Sequence, residues 1–579
     1  MAESNYFKFR GTAAGRTLFR YREAGKWVMI STERFTQDVG RAVTLLTRAG
    51  VARGDRLVMV LPTSYPSVVL DWAARVLGAV TVPVHPSASD EEKKTILRET
   101  LPALVVSATG AAALEALAQQ AGLSVPVWAV DDPVMPRDRL AARLESVPAQ
   151  AWLLQEEPDD LVTIVFTSGT TGQVKGVCVT AGMIAAMERG AIEALNVTAE
   201  DRLYLFLPTA HIFGRLFLWV QARIGFEVAL APDYSRVQLD LREVAPTIVG
   251  VVPRLLEKMF EQITLQMKAR GGLGELGWHL AVKLAIARGR RDRVAFPLVN
   301  LAARRVADQL LLRHVRQAFG GRLRYIISGG APLSPDLASF YTGVGLPTLQ
   351  GYGLTETTGV VFVTRPNDPA PQTVGLPLRD VEFRLSADSE IMLRGPAVFS
   401  RYWHNDDPVR DTEGWFHTGD LGALDNHGRL RITGRSKDIL VTAHGKNIAP
   451  LKIERLLESL TMVDKAVVLG DNRPYLVALL SLNPDELHRR FGNSLSDPAR
   501  NDAVLTYLER EIERTNKQLG SFESIKYFRV VPGTFSVQNG ELTPTLKPRR
   551  GFIETKYAHL VSEMYPKTQM AFSPEATAL

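Results

Sequence analysis

The sequence predicts an α/β protein, with a large N-terminal domain of doubly wound, mixed or parallel sheets and a small α+β C-terminal domain. Three observations predict it. The chain has 579 residues, more than one hydrophobic core usually serves, so two or more domains are expected. Up to roughly residue 150, short β-branched and apolar runs alternate with helix-period segments, the pattern of parallel strands joined by crossover helices. From Asp438 onward the pattern changes to short strands between single helices over about 140 residues, an ordinary domain size.

Taken in order, residues 35–49 place apolar side chains on one helical face, and Gly50 ends the helix. Residues 56–62 read as a strand, 65–78 as a helix and 79–84 as a strand, with further strands at 104–107 and 125–130. Residues 161–166 form a short apolar run entering a turn, and 203–208 another strand. The most helical region is 254–319. It carries a basic cluster at Arg288, Arg290, Arg291 and Arg293 and then an amphipathic run over 298–319, read as a solvated helical excursion. Strands follow at 323–328 and 347–350, and in the second domain at 439–442, 465–470 and 475–482, with a helix over 450–460. The tail beyond about residue 567 reads as disordered.

Composition is that of an ordinary globular protein, 46% hydrophobic and 22% charged. The one cysteine excludes an intramolecular disulfide and fits a reducing compartment. Cys178 lies in an apolar stretch with no positioned base, which makes it buried filler rather than a nucleophile. A net charge of +6 suits anionic small ligands, and no basic tail or recognition motif points to nucleic acid. The start, Met1-Ala2-Glu3-Ser4-Asn5, lacks the regions of a signal peptide. The apolar run 68–84 is interrupted by Asp71 and Arg75, too short and too charged to span a bilayer. A cytoplasmic location is expected, with at most peripheral membrane contact.

The chemistry is concentrated in a few turns. Thr167-Ser168-Gly169-Thr170-Thr171-Gly172-Gln173-Val174-Lys175-Gly176 follows the strand at 161–166. Glycines let successive N–H groups approach a ligand, while hydroxyls and a lysine add donors for phosphate oxygens. Such clusters are commonly plain surface turns. Here the preceding strand, the hydroxyl density and Lys175 favour a triphosphate cradle. A Walker-type loop is excluded, because Val174 and Gly176 flank the lysine where glycine and a hydroxyl residue are needed.

Later turns fit the same ligand. Gly329-Gly330-Ala331-Pro332 and Gly351-Tyr352-Gly353-Leu354-Thr355-Glu356 both end strands. Their small residues permit close approach to a flat base on which Tyr352 can stack; Thr355 can hold a phosphate oxygen. Glu356 is a hard oxygen ligand suited to the magnesium of a triphosphate. His211, after the strand at 203–208, is a lone histidine, a residue that serves structure more often than catalysis.

These turns, together with Trp415-Phe416-His417-Thr418-Gly419-Asp420, Gly434-Arg435-Ser436-Lys437-Asp438, His444-Gly445-Lys446-Asn447-Ile448 and Leu542-Thr543-Pro544-Thr545-Leu546-Lys547, stand in the order of the adenylate-forming (AMP-binding) acyl-CoA synthetase superfamily. The chain resembles that superfamily from about residue 32 to about residue 550, and its wording is nearest the long-chain fatty-acid–CoA ligase branch. The resemblance implies a two-step ligase that uses ATP, Mg2+ and coenzyme A to activate a hydrophobic carboxylic acid through an acyl-adenylate. It implies that Asp420 anchors the ribose and that Arg435 contacts ribose or phosphate. Lys437 would be the hinge between a large domain, 1–436, and a small mobile one, 437–579. Lys547 would bridge carboxylate and α-phosphate, the Gly445 loop would serve the thiol step, and His211 would border the carboxylate and the thiol tunnel.

The same machinery would serve an enzyme that stops at adenylation and hands its acyl group to an acyl-carrier protein or to a separate enzyme. Intact Lys175, Glu356, Asp420 and Lys547 argue against a mere nucleotide or lipid binder. Against the branch pattern, Gly214 replaces an acidic residue, Gln372, Ser389 and Arg401 replace glycines, and Arg379-Asp380 replaces Pro-Gly. None of these belongs to the adenylate site. They leave the acid open between a long-chain and a specialised one.

Overall fold

The computed structural model describes residues 15–131, 140–168, 174–231, 233–269, 272–290, 312–405, 407–444, 446–492, 497–536, 538–542 and 548–565. The chain forms two compact units. One comprises 1–384, 392–417 and 424–431; the other comprises 385–391, 418–423 and 432–579.

The first unit opens with β1 (Thr17–Glu23) and β2 (Lys26–Ser31), an antiparallel pair. Ser31 then caps the helix Thr32–Arg48 by accepting the Arg34 N–H. β3 (Arg56–Val60), β4 (Val80–Val84), β5 (Leu104–Thr109) and β6 (Val127–Asp131) follow, with the helices Tyr65–Leu77, Asp90–Thr100 and Ala112–Gln120 between them. β7 (Leu161–Ser168) and β8 (Val174–Thr180) complete a six-stranded sheet ordered β6-β5-β3-β4-β7-β8. Every pairing is parallel except β7 with β8. Strands covered on both faces read as continuous apolar runs, which is why β3, β4 and β5 were legible. Cys178 on β8 is buried, as expected, and burial raises its pKa.

The apolar run 68–84 is helix and then strand. Its two charges are held in ion pairs, half-buried Asp71 with Arg215 and buried Arg75 with Glu156.

β9 (Arg202–Leu205), β10 (Glu227–Leu230), β11 (Ile248–Val251), β12 (Tyr325–Ser328), β13 (Thr348–Tyr352), β14 (Phe362–Val363) and β15 (Leu376–Pro377) build a second sheet. Its order is β15-β14-β13-β12-β11-β9-β10-β1-β2. β12 lies between β11 and β13, parallel to both. The helical region contains Pro253–Lys268, Gly272–Gly289 and Arg313–Ala318. Trp278 is buried there against Phe260 and Phe340. In the basic cluster Arg290 pairs with Asp336, whereas Arg291, Arg293 and most of the run 298–319 lie outside the described residues, as does the tail. Among the described residues no helix is long and apolar enough to cross a membrane.

β16 (Glu382–Leu385), β17 (Glu390–Arg394), β18 (Phe416–Leu424) and β19 (Leu430–Arg435) form a four-stranded sheet in that order. In the second unit, β20 (Leu440–Val441) pairs with β21 (Asn447–Ile448). β22 (Val463–Leu469), β23 (Leu476–Leu482) and β24 (Ile525–Val530) form the unit's main sheet, β22 antiparallel and β24 parallel to β23. All seven β23 side chains are buried, because each face of the sheet carries its own core. Leu476, Ala478, Leu480 and Leu482 join one with residues of helices Pro450–Glu458 and Asp502–Asn516. Val477 and Leu479 join the other with Ile553, Val561 and Met564.

Candidate active site

The stretch expected to bind phosphate lies between β7 and β8, which pair antiparallel. β7 and β8 pair so that Thr167 faces Lys175 and Ser168 faces Val174. Gly169, Thr170, Thr171 and Gly172 lie outside the described residues. Lys175 is exposed, and its Nζ stands 5.3 Å from the centre of the Tyr402 ring, a cation–π contact. Tyr402 is held there by its own backbone, which bridges to Val177 of β8, while the Trp403 N–H donates to the Gly176 carbonyl at 2.7 Å.

The two turns expected to hold the base leave neighbouring parallel strands, since Ser328 at the end of β12 pairs with Gln350 in β13. Gly330, Ala331 and Pro332 are exposed on the first turn. On the second, Gly351, Tyr352 and Gly353 are half-buried, and Tyr352 sits 6.2 Å from the Phe362 ring. A β-carbon at Gly353 would lie 1.6 Å from the Gly359 carbonyl oxygen, so only glycine fits. Thr355–Thr357 is a single tight turn, closed by the Leu354 N–H donating to the Thr357 hydroxyl at 2.8 Å.

Glu356 is half-buried on that turn. Its carbonyl accepts the Phe399 N–H at 2.8 Å, and its Oε1 accepts the Tyr402 hydroxyl at 3.1 Å. Among the described residues no group of three or more His, Cys, Asp or Glu side chains could hold a metal ion alone. One hard carboxylate nevertheless fits magnesium that arrives with a triphosphate, because that ion keeps its waters and phosphate oxygens as its remaining ligands.

His211 precedes the helix Ile212–Ile224, and its half-buried ring stacks on His85 with centres 6.2 Å apart and planes 10° apart. The loops that carry this region are joined at Thr63. Its hydroxyl donates to the Leu207 carbonyl at 2.7 Å and accepts the Thr209 N–H at 3.0 Å. The helix after His211 packs against the first base turn, where a β-carbon at Gly329 would meet the Phe213 ring at 3.0 Å. Sequence reasoning missed His85; the available signal was a histidine directly after the buried strand β4. Nδ1 of His85 accepts the Ser87 N–H at 3.2 Å, which places the proton of the neutral ring on Nε2.

Burial, with the His85 ring adding to it, lowers the His211 pKa to about 4. Burial and then Lys93 lower that of His85. An unfolded chain would take up a proton near the ordinary histidine value, roughly 6.5, while folded His211 stays neutral to about 4. Stability is therefore lost as pH falls through that window and levels off below it. His211→Gln is expected to reduce this acid-side loss, measured as the difference between urea midpoints at about pH 7 and about pH 5. The same difference in both proteins would assign the loss to other groups.

The second unit carries the remaining positions. Asp420 on β18 is buried, and its Oδ1 accepts Nε–H of Arg435, on β19, at 2.7 Å. The segment read from sequence as a turn is part of strand β18, and the Thr418 hydroxyl fixes it by accepting the Asp420 N–H at 3.1 Å and donating to the Ile391 carbonyl at 2.7 Å. Lys437 lies in the short turn Ser436–Asp438. Gly445 falls between β20 and β21 and, like Lys547, lies outside the described residues. The flanks of the Lys547 segment are fixed: Leu542 bridges to Pro548, and the Arg549 N–H donates to the Glu541 carbonyl at 2.8 Å. The buried Glu541 carboxylate accepts the Tyr557 hydroxyl at 2.6 Å and pairs with Lys556 at 2.8 Å.

The profile of the AMP-binding enzyme family matches residues 10–403, and that of the AMP-binding enzyme C-terminal domain matches 437–569. The chain is 34% identical over 566 residues to the long-chain-fatty-acid–CoA ligase FadD15 of Mycobacterium bovis, covering 94% of this chain and 93% of that protein. It superposes on the adenylation domain of a carboxylate reductase from Mycobacterium chelonae with a TM-score of 0.74 at 23% identity, covering 95% of this chain and 89% of the other. ATP-bound MatB from Rhodopseudomonas palustris gives a TM-score of 0.70 at 21% identity, with 95% and 97% covered. With both profiles matched in order and a relative aligned along nearly its whole length, this chain belongs to the AMP-binding enzyme family.

Proposed function

We propose that the protein is an ATP-dependent acid–thiol ligase that converts a hydrophobic carboxylic acid, long-chain or specialised, into its coenzyme A thioester. The observation that carries this reading is end-to-end similarity to a relative named long-chain-fatty-acid–CoA ligase, on a chain whose phosphate hairpin and Glu356 meet at Tyr402. A carboxylate oxygen attacks the α-phosphorus of ATP. The new P–O bond forms as the bond to the β-phosphate bridging oxygen breaks, and pyrophosphate leaves. The coenzyme A thiolate then attacks the acyl carbon and expels AMP.

Catalysis of such transfers is mainly positioning and charge stabilisation. Thr167, Ser168, Gly169, Thr170, Thr171, Gly172 and Lys175 hold the departing phosphates, and Thr355 an α-phosphate oxygen. Gly330, Ala331, Pro332, Gly351, Tyr352 and Gly353 receive the adenine. Asp420 and Arg435 take the ribose. Glu356 would hold a magnesium ion, which when bound offsets phosphate charge. Lys547 bridges the carboxylate and the α-phosphate, and His211 borders the carboxylate. Lys437 is the hinge between 1–436 and 437–579, through which the Lys547 loop gives way to the Gly445 loop for the thiol step. The enzyme acts in the cytoplasm, a placement supported by a single, buried cysteine.

The test is pyrophosphate release with carboxylic acids of graded chain length, with and without coenzyme A, together with acyl-CoA measured by mass spectrometry. Magnesium-dependent release and a matching amount of acyl-CoA are expected. Pyrophosphate without thioester, even with ample coenzyme A, would mean that the acyl group passes to a carrier protein instead. Glu356→Gln keeps the shape and removes the charge. It is expected to abolish release at low magnesium and to recover part of it at high magnesium; unchanged release at low magnesium would remove Glu356 from the metal site.

A further inference from the structure

Tyr402 lies outside every turn that the sequence singled out, yet it touches two of the groups on which the proposed function rests. Its hydroxyl donates to Glu356 Oε1 at 3.1 Å, and its ring centre stands 5.3 Å from Lys175 Nζ. Edge-on packing against Phe399, with ring centres 4.8 Å apart, fixes the plane of the ring. The Phe399 N–H in turn holds the Glu356 carbonyl at 2.8 Å. The backbone of Tyr402 bridges to Val177 on β8, two residues beyond Lys175. The ring is thus anchored to the hairpin and to the Glu356 turn at once.

A tyrosine that served packing alone would have no need of a side-chain carboxylate as its partner. Here the hydroxyl takes one of the two Glu356 oxygens, and Oε2 has no hydrogen-bond partner among the described residues. We infer that Tyr402 is a positioning residue that fixes the Glu356 carboxylate through Oε1, leaves Oε2 to the metal of the nucleotide, and carries the phosphate-loop Lys175 on its ring. This rests on the proposed function, since it gives Glu356 and Lys175 the roles assigned there. It makes hydroxyl and ring separable: the hydroxyl acts on metal affinity, the ring on the lysine.

Two variants separate them. Tyr402→Phe keeps the ring and removes the hydroxyl; Tyr402→Leu removes both. Mn2+ binding to the enzyme with a non-hydrolysable ATP analogue is read by electron paramagnetic resonance. Binding of the same analogue in a chelator is read by calorimetry, and thermal melts confirm folding. Tyr402→Phe is expected to weaken Mn2+ binding about 10-fold, the effect of losing an outer partner of a metal ligand, and to leave metal-free nucleotide affinity unchanged. Tyr402→Leu is expected to weaken both. Equal Mn2+ affinity in folded Tyr402→Phe and wild type overturns the inference while the proposed function stands. A wild type that neither binds Mn2+ with the analogue nor forms acyl-adenylate overturns both.

Discussion

Lys547→Ala is expected to slow acyl-adenylate formation by at least about 100-fold, the effect of removing one donor aimed at developing charge. The attacking carboxylate and the α-phosphate are both anionic, so bringing them together needs a cation between them. Under the proposed function Lys547 supplies that cation, while Lys175 serves the departing phosphates. The substitution should leave the fold alone. The flanks of residues 543–547 are held by the Leu542–Pro548 bridge and by the buried Glu541 carboxylate, neither of which involves the lysine side chain. Thioester formation from supplied acyl-adenylate should therefore fall far less than adenylation. Rapid-quench single turnovers of the two half-reactions on one preparation decide this. Equal loss in both would end the division of labour assigned to Lys547.

Glu156→Gln is expected to cost stability rather than chemistry. Arg75 meets Glu156 through two hydrogen bonds of 2.5 and 2.8 Å, and the two side chains are only 3% and 7% exposed. Losing the carboxylate removes the counter-charge of a guanidinium in a water-poor site, which destabilises by about 3–5 kcal/mol. Chemical denaturation measures it. Replacing both members with apolar residues of similar size, as in Arg75→Met with Glu156→Leu, should recover much of the loss, since a buried pair gains little over good packing. A Glu156→Gln midpoint equal to wild type would show that water reaches the arginine.

Much of the first unit was legible in sequence because its strands are covered on both faces, so burial writes itself as apolar runs. β1 was not. It carries Arg20 and Arg22, which point to Glu227, Asp240 and Glu243, residues more than 200 positions away by sequence, and only the fold supplies those partners. β24 was missed for a related reason, since Lys526 and Tyr527 face solvent in a strand whose buried ends are Ile525 and Val530. In the site, turns were readable because a turn is local. Tyr402 and His85 were not, because each acts through a partner on another element.

The departures from the branch pattern also have physical content. Asp380 and Ser389 have φ of +63° and +65°, so the backbone keeps a conformation that glycine favours although the residue has changed. Gly214 replaces an acidic residue where a β-carbon would lie 2.4 Å from the Pro208 carbonyl oxygen. The loop that carries His211 thus lies closer to its helix than any side chain at that position would allow.

The pairing of β12 with β13 bears on where this chain could be lengthened without harm. The separation of the turns that follow β12 and β13 is set by a single ladder, Ile326 to Thr348, Ile327 to Leu349 and Ser328 to Gln350, and not by the number of residues joining the strands. Extra residues between the end of the helix Pro335–Val344 and the start of β13 would bulge outward and leave the turns in place. One extra residue within either strand would slide the ladder, turn each following side chain to the opposite face of the sheet, and part the two turns. The same rule tells an engineer where a tag or a binding domain can be inserted.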